Sequence, residues 1–252
     1  MRASSRIQKY YSLIQAGEWE ALFEKAAENF TIDSPTFGCF SGKEALTPLF
    51  EQQREILKKY RARIEPQATT VMDNTTAAEF LLHFTVNGKP VEVPSLLIAE
   101  IVSDTIEVIR IYHSTYPLSG QRKLRPPLLP PAKYLSEPKI IEQYMKALRA
   151  GDLEALLEQF EEDAYIQEAA GATHRGAAAL RKSFSKVLAD GGLPIIQCAQ
   201  TFDGDRCVIE YNLERWGNRK IPPQCGCAVF EIGPFGKIAA IRIYDDIVPP
   251  EK

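Results

Sequence analysis

Ala16-Gly17-Glu18-Trp19-Glu20-Ala21-Leu22 returns 134 positions later as Ala150-Gly151-Asp152-Leu153-Glu154-Ala155-Leu156. At the same offset Tyr10 falls on Tyr144, Glu24 on Glu158, Ile32 on Ile166, Gly42 on Gly176, Leu46 on Leu180 and Phe50 on Phe184. So many ungapped matches make the chain one domain written twice. A chain of 252 residues could otherwise be one large domain or two of ordinary size. Each copy, about 115 residues long, can bury its own core. The expected organisation is residues 1–117, a Pro-rich linker at 118–137, and residues 138–252.

Both copies read as helices followed by strands. Ile7, Tyr10, Tyr11 and Ile14 fall at helical spacing, and Trp19, Leu22, Phe23 and Ala26 repeat it after Gly17. Ile141, Tyr144, Met145 and Leu148, then Leu153, Leu156, Leu157 and Phe160, do the same in the second copy. Short extended pieces follow, Phe30 to Asp33 and Tyr165 to Glu168, and a third helix starts near Gly42 and Gly176. Ser41 and Glu44 have capping-box spacing.

The period then changes to two. Arg63 to Val71, Ala78 to Val86, Val91 to Ile101 and Thr105 to His113 read as strands, with Asn87-Gly88 a strong hairpin signal. Ile195 to Phe202, Cys207 to Arg215, Cys225 to Ile232 and Lys237 to Val248 are their counterparts. Helices first and a meander afterwards describe an α+β domain with helices on one face of a curved sheet. Between the copies, Pro117 to Pro138 lacks periodicity and reads as a semi-rigid connector.

A net charge of −3 gives no basic surface for nucleic acid. No stretch approaches the ~18 apolar residues of a membrane span, and Met1 to Tyr10 is too polar for a secretory signal. A cytoplasmic location is the default expectation. Five cysteines, only Cys39 in the first copy, point to reduced thiols rather than a repeated disulfide framework. Cys225-Gly226-Cys227 has no second ligand pair at zinc spacing, so small buried thiols on a strand are expected and no metal.

This order of elements, with the Gly-Asp-Leu-Glu-Ala-Leu helix, the turn His174-Arg175-Gly176 and the ending Ile241-Arg242-Ile243-Tyr244-Asp245, resembles the nuclear transport factor 2-like superfamily. SnoaL-like polyketide cyclases and ketosteroid isomerases belong to it. The resemblance covers nearly the whole chain outside the linker. It implies two tandem cone-shaped α+β barrel domains, each with three N-terminal helices on a curved, mainly antiparallel sheet and an apolar cavity in its mouth.

It also implies candidate residues. The steroid isomerase branch uses a helix-borne tyrosine, a carboxylate base after the short strand and a protonated acid on the third meander strand. Tyr144 and Glu168 match the first two, but Ala228 stands at the third, which removes half of an oxyanion hole. The SnoaL-like branch relies on a carboxylate near the end of the last strand, where Asp245 stands on the face of Ile241 and Ile243. Among isoleucines its charged form is disfavoured, which raises its pKa toward that of a useful base.

Asp245, Glu168, Tyr144 and His174 thus form a catalytic set for proton transfer, of isomerase or cyclase type, on a small apolar or polycyclic carbonyl compound, without a cofactor. In the first copy Tyr10, Asp33, Ser34 and His113 hold the corresponding pocket positions, and Leu96 is read as the counterpart of Ala228. Each residue also has a structural reading: Tyr144 as a core aromatic, His174 shaping a turn, Glu168 as surface charge, Asp245 with Asp246 as a solvated acidic end. The alternative function is non-catalytic ligand binding or scaffolding. Family domains pair through their sheets, so an internal pseudo-dimer is expected, with a higher oligomer left open.

Overall fold

The computed structural model describes residues 2–248 and Pro250. It divides into two compact units, residues 1–123 and 124–252.

In the first unit, α1 (Ala3–Ile7), α2 (Tyr10–Ala16) and α3 (Glu20–Phe23) lead into strand β1 (Ala26–Ser34) and its hairpin partner β2 (Gly38–Ser41). Helix α4 (Lys43–Lys59) follows, then β3 (Arg63–Met72), β4 (Thr75–Val86), β5 (Lys89–Val102), β6 (Thr105–His113) and the short α5 (Tyr116–Ser119). The second unit repeats the plan with α6 (Lys139–Ala150), α7 (Leu153–Leu157), β7 (Phe160–Gln167), β8 (Thr173–Arg175) and α8 (Ala177–Val187). It closes with β9 (Ile196–Phe202), β10 (Arg206–Trp216), β11 (Arg219–Ile232) and β12 (Ile238–Tyr244).

Each unit holds a six-stranded sheet, ordered β2-β1-β6-β5-β4-β3 and β8-β7-β12-β11-β10-β9. All pairings are antiparallel except β1 with β6 and β7 with β12. Both sheets are curved with free edges rather than closed, the helix-covered, mainly antiparallel α+β architecture that was expected. The expected four-strand meander gains two strands. The second amphipathic helix stops at Phe23 or Leu157 because the chain must turn to lay β1 or β7 beside the last strand, and that pairing overrides the helical period.

The meander follows its local signals. Asn87 (φ 51°) and Gly88 (φ 75°) join Val86 to its partner Lys89, the left-handed pair of a type I′ hairpin. The capping box does not form. Gly42, at φ 78°, precedes α4 without any side-chain cap, and the Ser41 hydroxyl donates to the Asn29 carbonyl on β1.

In each unit the helices cover the inner face of the sheet. Ile141, Leu148, Leu156 and Phe184 pack on Cys207, Ile209, Phe230 and Ile241 in the second unit, as Ile14, Leu22 and Phe50 pack on Ala78, Leu97 and Ile109 in the first. No disulfide joins the five cysteines, and Cys207, Cys225 and Cys227 are buried. Burial pushes the Cys207 thiol up to about 12. Among the described residues no helix is long and apolar enough to cross a membrane.

The Pro-rich segment lies on the second unit. The Arg125 carbonyl accepts from the Cys225 N–H at 2.9 Å, and the Ala132 N–H donates to the Gln197 carbonyl at 3.0 Å. Asn212 Nδ2 donates to the Leu129 carbonyl at 2.9 Å, and Gln200 Nε2 to that of Ser136 at 3.0 Å. The segment thus straps β9, β10 and β11. At ~0.5–1.5 kcal/mol for each hydrogen bond, a fragment starting at Pro138 should lose at least about 2 kcal/mol relative to one starting at Leu124. It should melt about 10 °C lower by circular dichroism; equal midpoints would show that the strap contributes nothing.

Candidate functional site

The strand ladders place a matched trio in each sheet. Tyr211 on β10 faces Gly226 on β11, and Cys227 faces Tyr244 on β12, which sets Gly226 opposite Asp245. In the first unit Phe80 faces Ser95, which faces His113. Ladder position also corrects one equivalence. Ala228 pairs with Ile209 and Ile243, and its counterpart is Leu97, which pairs with Ala78 and Ile111. Leu96 lies on the opposite face. The offset between copies shrinks from 134 at Gly17 and Gly151 to 131 at Ser95 and Gly226 because the connecting segments differ in length.

The second unit encloses a cavity of about 130 Å³ between α6, α8 and the inner sheet face. Its walls are largely apolar, with Leu148, Phe184, Trp216, Phe230 and Ile241 among them, and Tyr144, Glu168, Ser183, Tyr211 and Asp245 supply the polar groups. Trp216 Nε1 donates to the Val187 carbonyl at 2.9 Å, which fixes the indole.

Asp245 follows β12 and is 8% exposed. Its Oδ2 accepts a hydrogen bond from the Tyr211 hydroxyl, and its Oδ1 accepts from the Ile247 N–H at 3.0 Å. Burial, and then the neighbouring Asp245 charge, hold the Tyr211 phenol far above its usual range, so Tyr211 is a donor at every ordinary pH. Gly226 makes the pair sterically feasible. A Cβ there would sit 2.6 Å from Asp245 Oδ2 and 2.8 Å from the Tyr211 ring.

Tyr144 is 6% exposed on α6, with its ring edge-on to Phe160, Phe184 and Phe230. Its hydroxyl takes no hydrogen bond from the described residues, and burial raises its pKa. Glu168 lies just past β7, half-buried at the cavity wall. Its Oε1 accepts from His174 Nε2 at 2.8 Å, His174 being carried on the neighbouring strand β8. Tyr144, Glu168 and Asp245 therefore line one cavity, and His174 reaches it through Glu168.

The first unit has a smaller cavity, about 80 Å³. Ser34 and His113 line it; Tyr10 and Asp33 do not. Tyr10 is fully buried with its hydroxyl donating to Gln53 Oε1 at 2.9 Å, and Asp33, one residue before Ser34 on β1, falls on the other face of the strand. Tyr11 takes the lining position, its hydroxyl 2.7 Å from Ser95 Oγ, so a serine fills the place that Gly226 leaves open in the second unit. His113 Nδ1 donates to the Ser114 carbonyl at 3.0 Å, which leaves Nε2 to accept the Thr36 hydroxyl at 3.2 Å. No carboxylate is among the described residues that line it.

Tyr211 and Gly226 escaped the reading of the sequence. The signal was present: Tyr211 is inward-facing by period two with Cys207 and Ile209, and a glycine inside a central strand marks close approach of another group.

The model of the SnoaL-like domain matches the chain twice, at residues 7–109 and 141–241. No curated protein matches it. Solved structures similar to the chain include a putative polyketide cyclase from Sinorhizobium meliloti, 27% identical, with 42% of this chain and 94% of that one covered and a TM-score of 0.38. Another is an epoxide hydrolase/cyclase-like enzyme in pyran ring formation of the polyether salinomycin (18% identical, 44% and 89% covered, TM-score 0.37). A third is a hypothetical protein with a ketosteroid isomerase-like fold from Catenulispora acidiphila (13% identical, 46% and 90% covered, TM-score 0.38). With the domain model matched over most of both units, the chain belongs to the SnoaL-like domain family and carries that domain twice in tandem.

Proposed function

We propose that the second domain binds a small, largely apolar carbonyl compound and moves a proton on it. The observation that carries this reading is the grouping of Tyr144, Glu168 and Asp245 around one apolar cavity. A carboxylate, Asp245 or Glu168, takes the proton from the carbon next to the carbonyl. The C–H electron pair moves into the new C=C bond and the carbonyl π pair onto oxygen, where the Tyr144 hydroxyl donates to the developing oxyanion. The protonated carboxyl then returns the proton to the same or another carbon. His174, hydrogen-bonded to Glu168, orients that carboxylate and can share its proton.

For the first domain the non-catalytic reading is favoured. Among the described residues no carboxylate lines its cavity, and Tyr11 and His113 are both engaged by side chains of the same domain.

The test is ligand-dependent melting of the full chain against a panel of aromatic polyketides, steroids and terpenoid ketones, followed by turnover of any binder. Asp245→Asn or Glu168→Gln should lower turnover by ~10²–10⁴-fold, the usual contribution of a positioned acid or base, with binding retained. Unchanged turnover in both variants would remove these acids from the mechanism.

A further inference from the structure

The two domains close one end of their cavities differently. In the first, α4 has 17 residues and only residues 60–62 separate it from β3; in the second, α8 has 11 residues, and a loop at residues 188–195 leads to β9. Leu193 and Ile195 of that loop line the second cavity. The neighbouring strand differs as well. In the first domain β4 pairs with β5 without interruption, whereas the ladder of β10 and β11 shifts register between Leu213 and Arg215. Such an irregularity re-aims the side chains that follow it. Trp216 thus lines the same cavity as Leu213, although the two stand at odd spacing on β10.

This end wall has little room to retreat. The Leu193 N–H donates to the Leu148 carbonyl of α6 at 2.9 Å, the Gly217 N–H to the Gly192 carbonyl at 3.0 Å, and Trp216 Nε1 to the Val187 carbonyl at 2.9 Å. Backbone lies directly on backbone at two glycines. A Cβ on Gly192 would lie 2.0 Å from the Arg149 carbonyl oxygen, and one on Gly217 would lie 2.0 Å from that of Asp190. Packing this close yields little to pressure from inside, and Trp216, 6% exposed, is held within it. The enclosed volume of about 130 Å³ is close to the ~150 Å³ of an engineered protein cavity that holds benzene. That leaves no room for a second fused ring.

We infer that the carbonyl compound taken by the second cavity has a body of about one six-membered ring, and that Trp216, pinned to Val187 beside the 188–195 loop, is the residue that excludes larger ring systems. The inference rests on the proposed reading of this cavity as the site of a carbonyl compound, and it narrows the class.

Ligand-observed NMR titration of the full chain tests it with cyclohexanone and with 1-decalone, which carries a second fused ring. In a site that adapts, the added ring buries more apolar area and tightens binding; behind a fixed wall it clashes. Cyclohexanone should bind the parent chain at least about 10-fold more tightly than 1-decalone, a ratio worth ~1.4 kcal/mol. Trp216→Leu, which keeps the wall apolar and removes the indole, should bind 1-decalone at least as tightly as cyclohexanone. Should that variant not fold, Trp216→Phe, which gives up only part of the indole, should shift the ratio in the same direction. 1-Decalone binding the parent chain as tightly as cyclohexanone overturns the size limit. An unchanged ratio in a folded Trp216 variant overturns the role given to Trp216. If steroids of the melting panel bind and cyclohexanone does not, the size limit fails while the carbonyl reading stands; if no compound of either set binds, both fail.

Discussion

Raising the pH past 10 should unfold each domain over a narrow interval. Four phenols, Tyr10 and Tyr11 in the first domain and Tyr144 and Tyr211 in the second, have pKa values raised by burial. In the unfolded chain each titrates near 10. A group whose folded pKa is raised contributes stability that is complete below its unfolded pKa and is lost as the pH climbs toward the folded one. Above pH 10 the unfolded state therefore binds fewer protons, and each phenol removes ~1.4 kcal/mol of stability per pH unit. Two phenols make that about 2.7 kcal/mol per pH unit for each domain, against a typical stability of ~5–15 kcal/mol.

In the second domain Cys207, pushed up to about 12 by burial, adds to this loss from above the ordinary thiol range of ~8.5. Absorbance at 295 nm and circular dichroism, followed together from pH 8 to 12.5, would check this. The four buried phenols should ionise only with the loss of ellipticity. Complete ionisation of the phenols in a chain that keeps its ellipticity would contradict the burial argument.

Gly226→Ala should damage the second domain more than its single methyl group suggests. The added Cβ would lie 2.6 Å from Asp245 Oδ2 and 2.8 Å from two atoms of the Tyr211 ring, distances at which something must shift. Neither neighbour can swing into solvent, since Tyr211 and Asp245 are 7% and 8% exposed. Overpacking of this kind costs ~1–3 kcal/mol, and parting the phenol from the carboxylate leaves a buried polar group unsatisfied for another ~1–3 kcal/mol. The expected result is a fall of about 10–20 °C in the second domain's melting midpoint, with loss of any ligand bound in the cavity and no change in the first domain. A midpoint within 2 °C of the parent protein would show that the strand yields and that Gly226 does not hold this arrangement.

Much of this protein was written locally. The duplication, the helix faces of Tyr144 and Leu148, the hairpin at Asn87-Gly88 and the inward set Ile241, Ile243 and Asp245 all follow from periods of 3.6 and 2 over a few neighbouring residues. Tyr144, Glu168 and Asp245 line one cavity of the second unit, and His174 does not.

Where the reading and the structure part, the deciding contact lies far along the chain. Tyr11 lines the first cavity instead of Tyr10, with its hydroxyl hydrogen-bonded to Ser95, 84 residues away. Ser41 sits on a hairpin strand and bonds Asn29 rather than capping α4. The α3 and α7 helices stop early to give β1 and β7 to the last strands.

By itself the sequence determined the repeat, the order of elements and which residues face inward, because these depend on local backbone geometry and hydrophobic period. Only the tertiary structure decided that Tyr211 meets Asp245 across Gly226. That meeting joins residues 34 apart in the chain and is set by the register of three strands and by the room that a missing side chain leaves between them.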